Sequence, residues 1–316
     1  MLDNVLVTGG AGFLGSALTE KLLLKKKKVT VFDNLFRGKR NNFEKNNVNF
    51  IYGDICDKND VTNAVRDIDT IFHFAAIQGT KNFYEIPHTV LKVNVEGTIN
   101  ILNAAINSSV KRVVFASSSE VYGNPMYFPT DEEHPLIIPQ IRNPRYSYAA
   151  SKIIGESLCL NYARIYGLDI IILRPHNIYG PRMGFDHVIP EFIMRILNNE
   201  PFTIQGSGNN TRSFCFISDA IECILLAVSK KTIVNEIFNI GNPEEITINS
   251  LASLLIGLTG VSIKPTHIVA PEGGTSRRFP DISKAKNILG YEPRVPLSEG
   301  LSKTFNWYKH NIKIRV

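Results

Sequence analysis

The sequence predicts an α/β fold: a doubly wound parallel sheet covered by helices on both faces, followed by a smaller C-terminal lobe. Three observations carry this. Short apolar runs without polar alternation recur through the first half, separated by helical stretches, as in a sheet buried on both sides. A glycine cluster follows the first run directly. After about residue 175 the texture changes, and Pro175, Pro181, Pro190, Gly206 and Gly208 punctuate a loop-rich stretch. A chain of 316 residues suits one large α/β unit or two domains. With 44% hydrophobic and 20% charged residues, a disordered chain, a collagen-like repeat and a coiled coil are excluded.

The elements follow in order. Asn4–Thr8 reads as a buried strand and Phe13–Leu24 as a helix. Val29–Phe32, Val48–Tyr52, Thr70–Phe74, Arg112–Phe115 and Asp169–Leu173 read as further strands, with apolar helical stretches near 88–107 and 147–166. Helices are expected near 218–229, 247–258, 283–290 and 297–310, and Glu236–Ile240 is placed to return to the sheet. The expected division is a nucleotide-binding domain over 1–175 and a substrate lobe over 176–316, interleaved with the first. Lys25–Lys28 fall between the first helix and second strand, a solvated turn whose cations suit a helix C-terminus. The net charge of +6 favours an anionic small molecule over nucleic acid. No apolar run reaches about 18 residues, so no membrane span is expected. The N-terminus enters a strand at once, so no signal peptide is expected. Cys56, Cys159, Cys215 and Cys223 form no CxxC pair and lack zinc spacing, which predicts reduced thiols, no metal site and a cytoplasmic protein.

Gly9, Gly12 and Gly15 lie between the first strand and first helix, the context in which a glycine pattern holds a dinucleotide. Gly9 allows the tight turn, Gly12 the approach of a pyrophosphate, and Gly15 close packing of helix on strand. The helix N-terminus at Phe13 and Leu14 offers N–H groups to phosphates. Asp33 ends the second strand, where a carboxylate accepts both ribose hydroxyls and repels a 2′-phosphate. The expected cofactor is therefore NAD in a Rossmann-like domain, although Arg37 and Arg40 keep NADP open. Asp54 and Ile55 follow the third strand, where a carboxylate can meet the adenine amino group. Phe74, Ala75 and Ala76 follow the fourth, where small residues let the backbone pass the cofactor.

Tyr148 and Lys152 are spaced i and i+4, so both side chains share one helix face. A neighbouring ammonium lowers a phenol's pKa, which predicts a base working near neutral pH. Ser117, Ser118, Ser119 and Glu120 end the fifth strand, and a hydroxyl there can share a substrate proton with Tyr148.

These pieces resemble an extended short-chain dehydrogenase/reductase of the nucleotide-sugar epimerase/dehydratase family. The residues carrying the resemblance are TGGAGFLG (8–15), FDN (32–34), GDI (53–55), HFAA (73–76), NVEGT (94–98), SSSEVYG (117–123), YAASK (148–152), RPHNIYGPR (174–182), GSGNNTRSF (206–214) and PDISKAK (280–286). The resemblance implies an enzyme that keeps NAD bound and oxidises a sugar at C4, with a nucleotide-diphosphate sugar as substrate. It implies Tyr148 as base for the C4 hydroxyl, Lys152 on the nicotinamide ribose, and Ser118 hydrogen-bonded to the same hydroxyl. It adds Asn34, Asn94 and Ser117 to the cofactor contacts. Ser119, Asn177, Arg212 and Arg278 fall among the substrate contacts, the two arginines on the diphosphate, with Arg182 of open role. It also implies a homodimer paired through the helices near 88–107 and 147–166.

Within the family, Glu120 is the informative departure. Many 4-epimerases lack a carboxylate there, whereas UDP-glucuronate decarboxylases and GDP-mannose dehydratases resemble this chain at Ser119-Glu120. Asn143-Pro144-Arg145 is also reminiscent of decarboxylases. The dTDP-glucose dehydratase pattern has an aspartate where Ser119 stands, which disfavours that subfamily. The expected activity is a 4-epimerase working through a 4-keto intermediate. The alternatives are a 4,6-dehydratase or a decarboxylase using Glu120 at C5. A non-catalytic nucleotide-binding regulator is a different class, and it would have no need of Tyr148, Lys152 and Ser118 together.

Overall fold

The computed structural model describes residues 3–43, 48–260, 263–270 and 274–312. In chain order the elements are β1 (Asn4–Thr8), α1 (Phe13–Leu24), β2 (Lys28–Asp33), β3 (Asn49–Tyr52), α2 (Lys58–Ala64), β4 (Thr70–His73), α3 (Thr80–Glu85), α4 (Pro87–Ile106), β5 (Arg112–Ala116), α5 (Ser147–Tyr166) and β6 (Asp169–Pro175). There follow β7 (Ile178–Tyr179), α6 (Val188–Leu197), β8 (Thr203–Gln205), β9 (Thr211–Ser213), β10 (Cys215–Phe216), α7 (Ile217–Ser229) and β11 (Glu236–Ile240). The chain continues through β12 (Glu245–Thr247), α8 (Ile248–Gly257), β13 (Thr266–Ile268), β14 (Arg277–Arg278) and α9 (Leu297–Asn311).

The chain divides into two compact units. The first holds Met1–Gly123, Pro135–Pro175 and Ile221–Phe238; the second holds Asn124–His134, His176–Ala220 and Asn239–Val316. One crossing falls between Pro175 and His176. Residues 124–134 and 221–238 each group with the unit opposite to the one their position in the chain suggests. The second excursion contains most of β11, the strand expected to return to the sheet.

The seven-stranded sheet runs β11-β6-β5-β4-β1-β2-β3, and β3, β2, β1, β4, β5 and β6 pair in parallel. The order reverses at β1, which starts the chain and stands between β2 and β4. In such a sheet the crevice at the reversal is where ligands bind, beyond the carboxyl ends of the strands. Alternate strand residues explain why the runs are apolar throughout. Leu6, Phe32, Ile71, Val113, Phe115, Ile170 and Ile172 pack on one face against Val61 of α2, Ile101 and Leu102 of α4 and Cys159 of α5. Val5, Val7, Val31, Phe72, Val114 and Ile171 alternate with them and are equally buried.

The second unit is built of short strands, β12-β9-β14, β10-β7 and β13-β8, with α6, α8 and α9. The loop-rich reading of 175–206 missed α6. Pro190 stands in its first turn, where a missing N–H is tolerated, so the proline does not break the helix. The helix expected near 283–290 is a π-helical turn over Ala285–Leu289, stopped by Gly290 in the left-handed conformation.

Candidate active site

The carboxyl ends of β1, β2 and β4 form a cradle in the first unit. Gly9 adopts φ +67°, and a Cβ there would stand 2.7 Å from the Ala75 nitrogen, so a side chain would strike the chain leaving β4. At Gly15 a Cβ would lie 2.2 Å from the Gly9 carbonyl oxygen, which is why α1 reaches this close to the turn. Gly12 caps α1 without any side-chain hydrogen bond, and the first turn, opened by Phe13 and Leu14, holds no acidic residue. That helix start therefore keeps its positive end for an anion. Asp33 is buried at the end of β2, and its carboxylate accepts the Ala11 N–H at 3.0 Å and the Leu35 N–H at 2.8 Å. Burial raises its pKa, against those two hydrogen bonds. Asn34 donates to Asp54 at 3.2 Å, which joins the ends of β2 and β3. Arg37 donates to the Gln78 carbonyl at 2.6 Å, and Arg40 lies 5.3 Å above the Phe50 ring.

Beneath the cradle a buried histidine has a determined tautomer. Thr98 Oγ1 donates to the Asn94 carbonyl at 2.6 Å, so it accepts from His73 Nε2 at 3.1 Å. His73 Nδ1 is then the acceptor and receives the Thr8 hydroxyl at 2.8 Å, while Thr8 Oγ1 receives the Ala75 N–H at 3.2 Å. Burial, then the nearby Lys152 charge, push the imidazole down to about 3, so it stays neutral. Sequence reasoning quoted His73 in a motif but gave it no work. Its role is to fix the backbone at Ala75, with Phe74 donating to the Thr8 carbonyl at 3.2 Å and Ala76 half-buried beside it.

Tyr148 and Lys152 lie on the buried face of α5, as their spacing predicts. Ser118 lies near enough to the Tyr148 phenol to lower its pKa, and its hydroxyl accepts the Glu120 N–H at 3.2 Å, capping the 3₁₀ turn Ser119–Tyr122. Phe83 of α3 stacks on the Tyr148 ring, with centroids 5.2 Å apart and planes 16° from parallel. Lys152 donates to the Ala116 carbonyl at 2.7 Å and sits 5.7 Å from the Tyr148 ring centre. The phenol's acidity differs from expectation. Burial pushes the Tyr148 pKa well above its ordinary value; Ser118 and Arg37 pull it down, and Glu120 pushes it up. The ammonium expected to lower it is turned to the Ala116 carbonyl, and burial brings Lys152 itself down to about 8.

The second unit holds the expected anion contacts. Arg212 of β9 and Arg278 of β14 are direct partners in a parallel ladder, so the two predicted arginines stand side by side. Arg278 is buried and donates to Thr275 Oγ1 at 3.2 Å. Arg212 donates to the carbonyls of Thr211 and Thr275 at 2.7 Å and of Ser276 at 3.3 Å. Between them in sequence, Arg277 forks onto Glu245 at 2.8 Å. Asn177 has φ +41° and donates to the Ser213 carbonyl at 3.0 Å, and Arg182 has φ +70°.

A profile of the NAD dependent epimerase/dehydratase family matches residues 5–241. The chain is 38% identical over 320 residues to a UDP-N-acetyl-alpha-D-glucosaminuronate decarboxylase of Bacillus cytotoxicus, covering 98% of both chains. It is 39% identical to a putative UDP-glucose 4-epimerase of Methanocaldococcus jannaschii, covering 97% of this chain and 99% of that one. The crystal structure of UDP-glucose 4-epimerase from Thermotoga maritima, with UDP-glucose, superposes with a TM-score of 0.92 at 33% identity, over 98% of this chain and 100% of that one.

The chain belongs to the NAD dependent epimerase/dehydratase family. It is an NAD-dependent enzyme of the nucleotide-sugar epimerase, dehydratase and decarboxylase class. The cradle fits NAD on its own terms, with an open helix start at Gly12 for the pyrophosphate and a buried carboxylate at Asp33 for the ribose.

Three residues expected at the cofactor have their side chains engaged within the protein. Asn94 donates both amide hydrogens, to the Ile77 carbonyl at 3.1 Å and Ser151 Oγ at 3.0 Å, and accepts the Ile77 N–H at 2.8 Å. It braces the β4 loop against α4 and α5 and has no donor left for a ligand. Ser117 donates to Glu156. Ile55 turns its side chain into the core, and its carbonyl accepts from Asn100 at 3.0 Å. Ser119 is buried within its turn. Glu156 and Arg174 were missed, although Glu156 stands one turn beyond Lys152 on the same face, which is the signal that could have found it.

Proposed function

We propose that the protein is a nucleotide-sugar 4-epimerase acting on a UDP-linked sugar through a transient 4-keto intermediate. The observation that carries this is that Tyr148 and Lys152 share the buried face of α5, with Ser118 near enough to the phenol to lower its pKa. In the reaction Tyr148 removes the C4 hydroxyl proton and Ser118 shares it. NAD, held by the cradle at Gly12 and Asp33, would supply the acceptor and donor for the C4 hydride, and Tyr148 would return the proton. Lys152 holds the cofactor ribose, and Arg278, with Arg212, grips the diphosphate, where a guanidinium suits paired phosphate oxygens. Burial holds the phenol above its ordinary pKa, and Ser118 and Arg37 pull it down, so these neighbours tune its basicity.

A second reading rests on one observation. The Glu120 carboxylate is within electrostatic range of the Tyr148 phenol and raises its pKa, which places a second titratable group near the proposed base. With C4 oxidised, a uronate substrate is a β-keto acid: the C5–C6 bond would break as carbon dioxide leaves, its electron pair would pass into the C4 enolate, and Glu120 would return a proton to C5, whereas in a dehydratase it would remove one. The Bacillus cytotoxicus relative supports this reading as the Methanocaldococcus relative supports the first.

Both are tested on a panel of UDP-, GDP-, dTDP- and CDP-sugars, with mass and NMR analysis of products. Inversion at C4 without change of mass is expected; loss of water or carbon dioxide overturns it. Tyr148→Phe should lose about a hundredfold to ten-thousandfold in NADH formation. Glu120→Gln should stay within about tenfold of wild type in an epimerase. Normal NADH formation without product in that variant would establish chemistry at C5.

We further propose a cytoplasmic homodimer paired through α4 and α5, whose outer faces expose Leu91, Ile154, Leu160, Ile165 and Tyr166. Sedimentation at micromolar concentration should show a dimer, and monomer alone refutes it.

A further inference from the structure

A buried ion pair stands directly behind the reacting groups. Arg174, near the end of β6, forks onto Glu156 of α5, Nε to Oε1 at 2.9 Å and Nη2 to Oε2 at 2.7 Å. Both side chains are 3% exposed. The same Glu156 oxygen that meets Nε also receives the Ser117 hydroxyl. The third arginine nitrogen, Nη1, donates to the Tyr122 hydroxyl at 3.0 Å. Ser117 immediately precedes Ser118, and Tyr122 closes the 3₁₀ turn that bears Glu120. On the other side, Glu156 follows Tyr148 and Lys152 at successive four-residue steps along α5.

A buried ion pair is weak evidence of stability, because desolvation offsets the attraction, and well-packed apolar replacements are often neutral or stabilising. Stability alone therefore gives no reason for this pair to sit here. Its hydrogen bonds give one. One carboxylate and one guanidinium fix, in a single rigid plane, the strand end carrying Ser118, the turn carrying Glu120, and the helix carrying Tyr148 and Lys152. Besides the network, the bond from Lys152 to the Ala116 carbonyl at 2.7 Å and the packing of α5 against β5 hold Tyr148 near Ser118. A fork pair is directional, whereas apolar packing tolerates sliding.

We propose that Glu156 and Arg174, through Ser117 and Tyr122, are positioning residues that hold Ser118 and Glu120 in register with Tyr148 for proton transfer. The inference rests on the reading of Tyr148 as the proton-accepting group. It gives Ser117 a role in place of the cofactor contact expected of it.

The test is the double substitution Glu156→Leu with Arg174→Met, which removes both charges and keeps volume. The thermal midpoint is expected to stay at or above that of wild type. Single-turnover NADH formation is expected to fall about tenfold to a hundredfold, as misplacement of a reacting group by about 1 Å does. NAD affinity and substrate KM should change by less than about twofold, since neither ligand touches the pair. Ser117→Ala and Tyr122→Phe, each deleting one hydroxyl, should give smaller losses of the same kind. A stable double variant with wild-type turnover overturns the proposal. Should the double variant not fold, wild-type turnover in both single variants overturns it. Tyr148→Phe is measured in parallel. If it keeps wild-type turnover, the reading of Tyr148 is what fails. If it is inactive while the charge-free variant works normally, the positioning role alone fails.

Discussion

Two buried arginine–carboxylate pairs tie β5 to its neighbours, one at each edge of the sheet. At the amino edge Arg112 of β5 holds Asp169 at the start of β6, with Nε to Oδ2 at 2.7 Å. Its remaining nitrogens donate to the carbonyls of Val228 and Ile233, each at 3.0 Å. At the carboxyl edge Arg174 holds Glu156, and the extra bonds go to the hydroxyls of Tyr122 and Ser117. The ions are alike and the arginines are almost fully buried in both. The difference lies in what the spare hydrogen bonds reach. Backbone carbonyls fix the path of the chain, here the return after α7 toward β11. The side-chain hydroxyls of Ser117 and Tyr122 are neighbours in sequence of Ser118 and Glu120, the groups proposed for the chemistry. The same interaction thus reaches backbone at one edge and, at the other, side chains next to the groups proposed for the chemistry, and its chemistry alone does not say which.

The largest effect expected from breaking this comparison is on stability at the amino edge. Arg112→Met leaves Asp169 without its counter-charge and two carbonyls without donors. Removing one partner of a buried pair typically costs about 3–5 kcal/mol. The urea midpoint should fall accordingly, while turnover per folded enzyme stays within about twofold of wild type. A selective loss of turnover in folded Arg112→Met would erase the distinction between the edges.

The scaffold was largely legible in the amino-acid pattern because a sheet covered on both faces needs apolar residues at every strand position. Val5, Leu6 and Val7 are fully buried together for that reason. The glycines at 9 and 15 were legible because the turn leaves no room for a Cβ. Spacing also placed Tyr148 and Lys152 on one face. It did not say where the Lys152 ammonium would point, and that is decided by the Ala116 carbonyl, which β5 supplies. Ser117 and Asn94 show the same limit. Each belongs to a motif that lies by the cradle, yet each donates to a partner distant in sequence, Glu156 and Ser151. The interleaving expected of the two lobes takes in residues 124–134 as well as 221–238, and no local composition change announces the first of these. Polar contacts across elements decide the fine roles, and periodicity is silent about them.

The smallest expected effect sharpens the comparison through a charge that has no carboxylate fork. Lys152 is buried and its pKa is lowered to about 8, burial being the main cause, from an ordinary value near 10.5. Below about pH 8 both the folded and the unfolded chain carry the proton, and the folded state bears the cost of a buried ammonium. Between about pH 8 and 10.5 the unfolded state binds more protons at this site, so its contribution to stability rises with pH. That is the reverse of a paired surface lysine, whose stabilising charge is lost on going alkaline. Lys152→Met has no such titration. The difference in urea midpoint between wild type and Lys152→Met should therefore shift in favour of wild type as pH rises from 8 to 10, with other titrating groups cancelling in the difference. The size should stay below the Arg112→Met effect, because the bond to the Ala116 carbonyl already compensates part of the burial. A constant difference across that range would mean that Lys152 keeps an ordinary pKa. The carboxyl edge would then hold its ammonium as firmly as it holds Arg174.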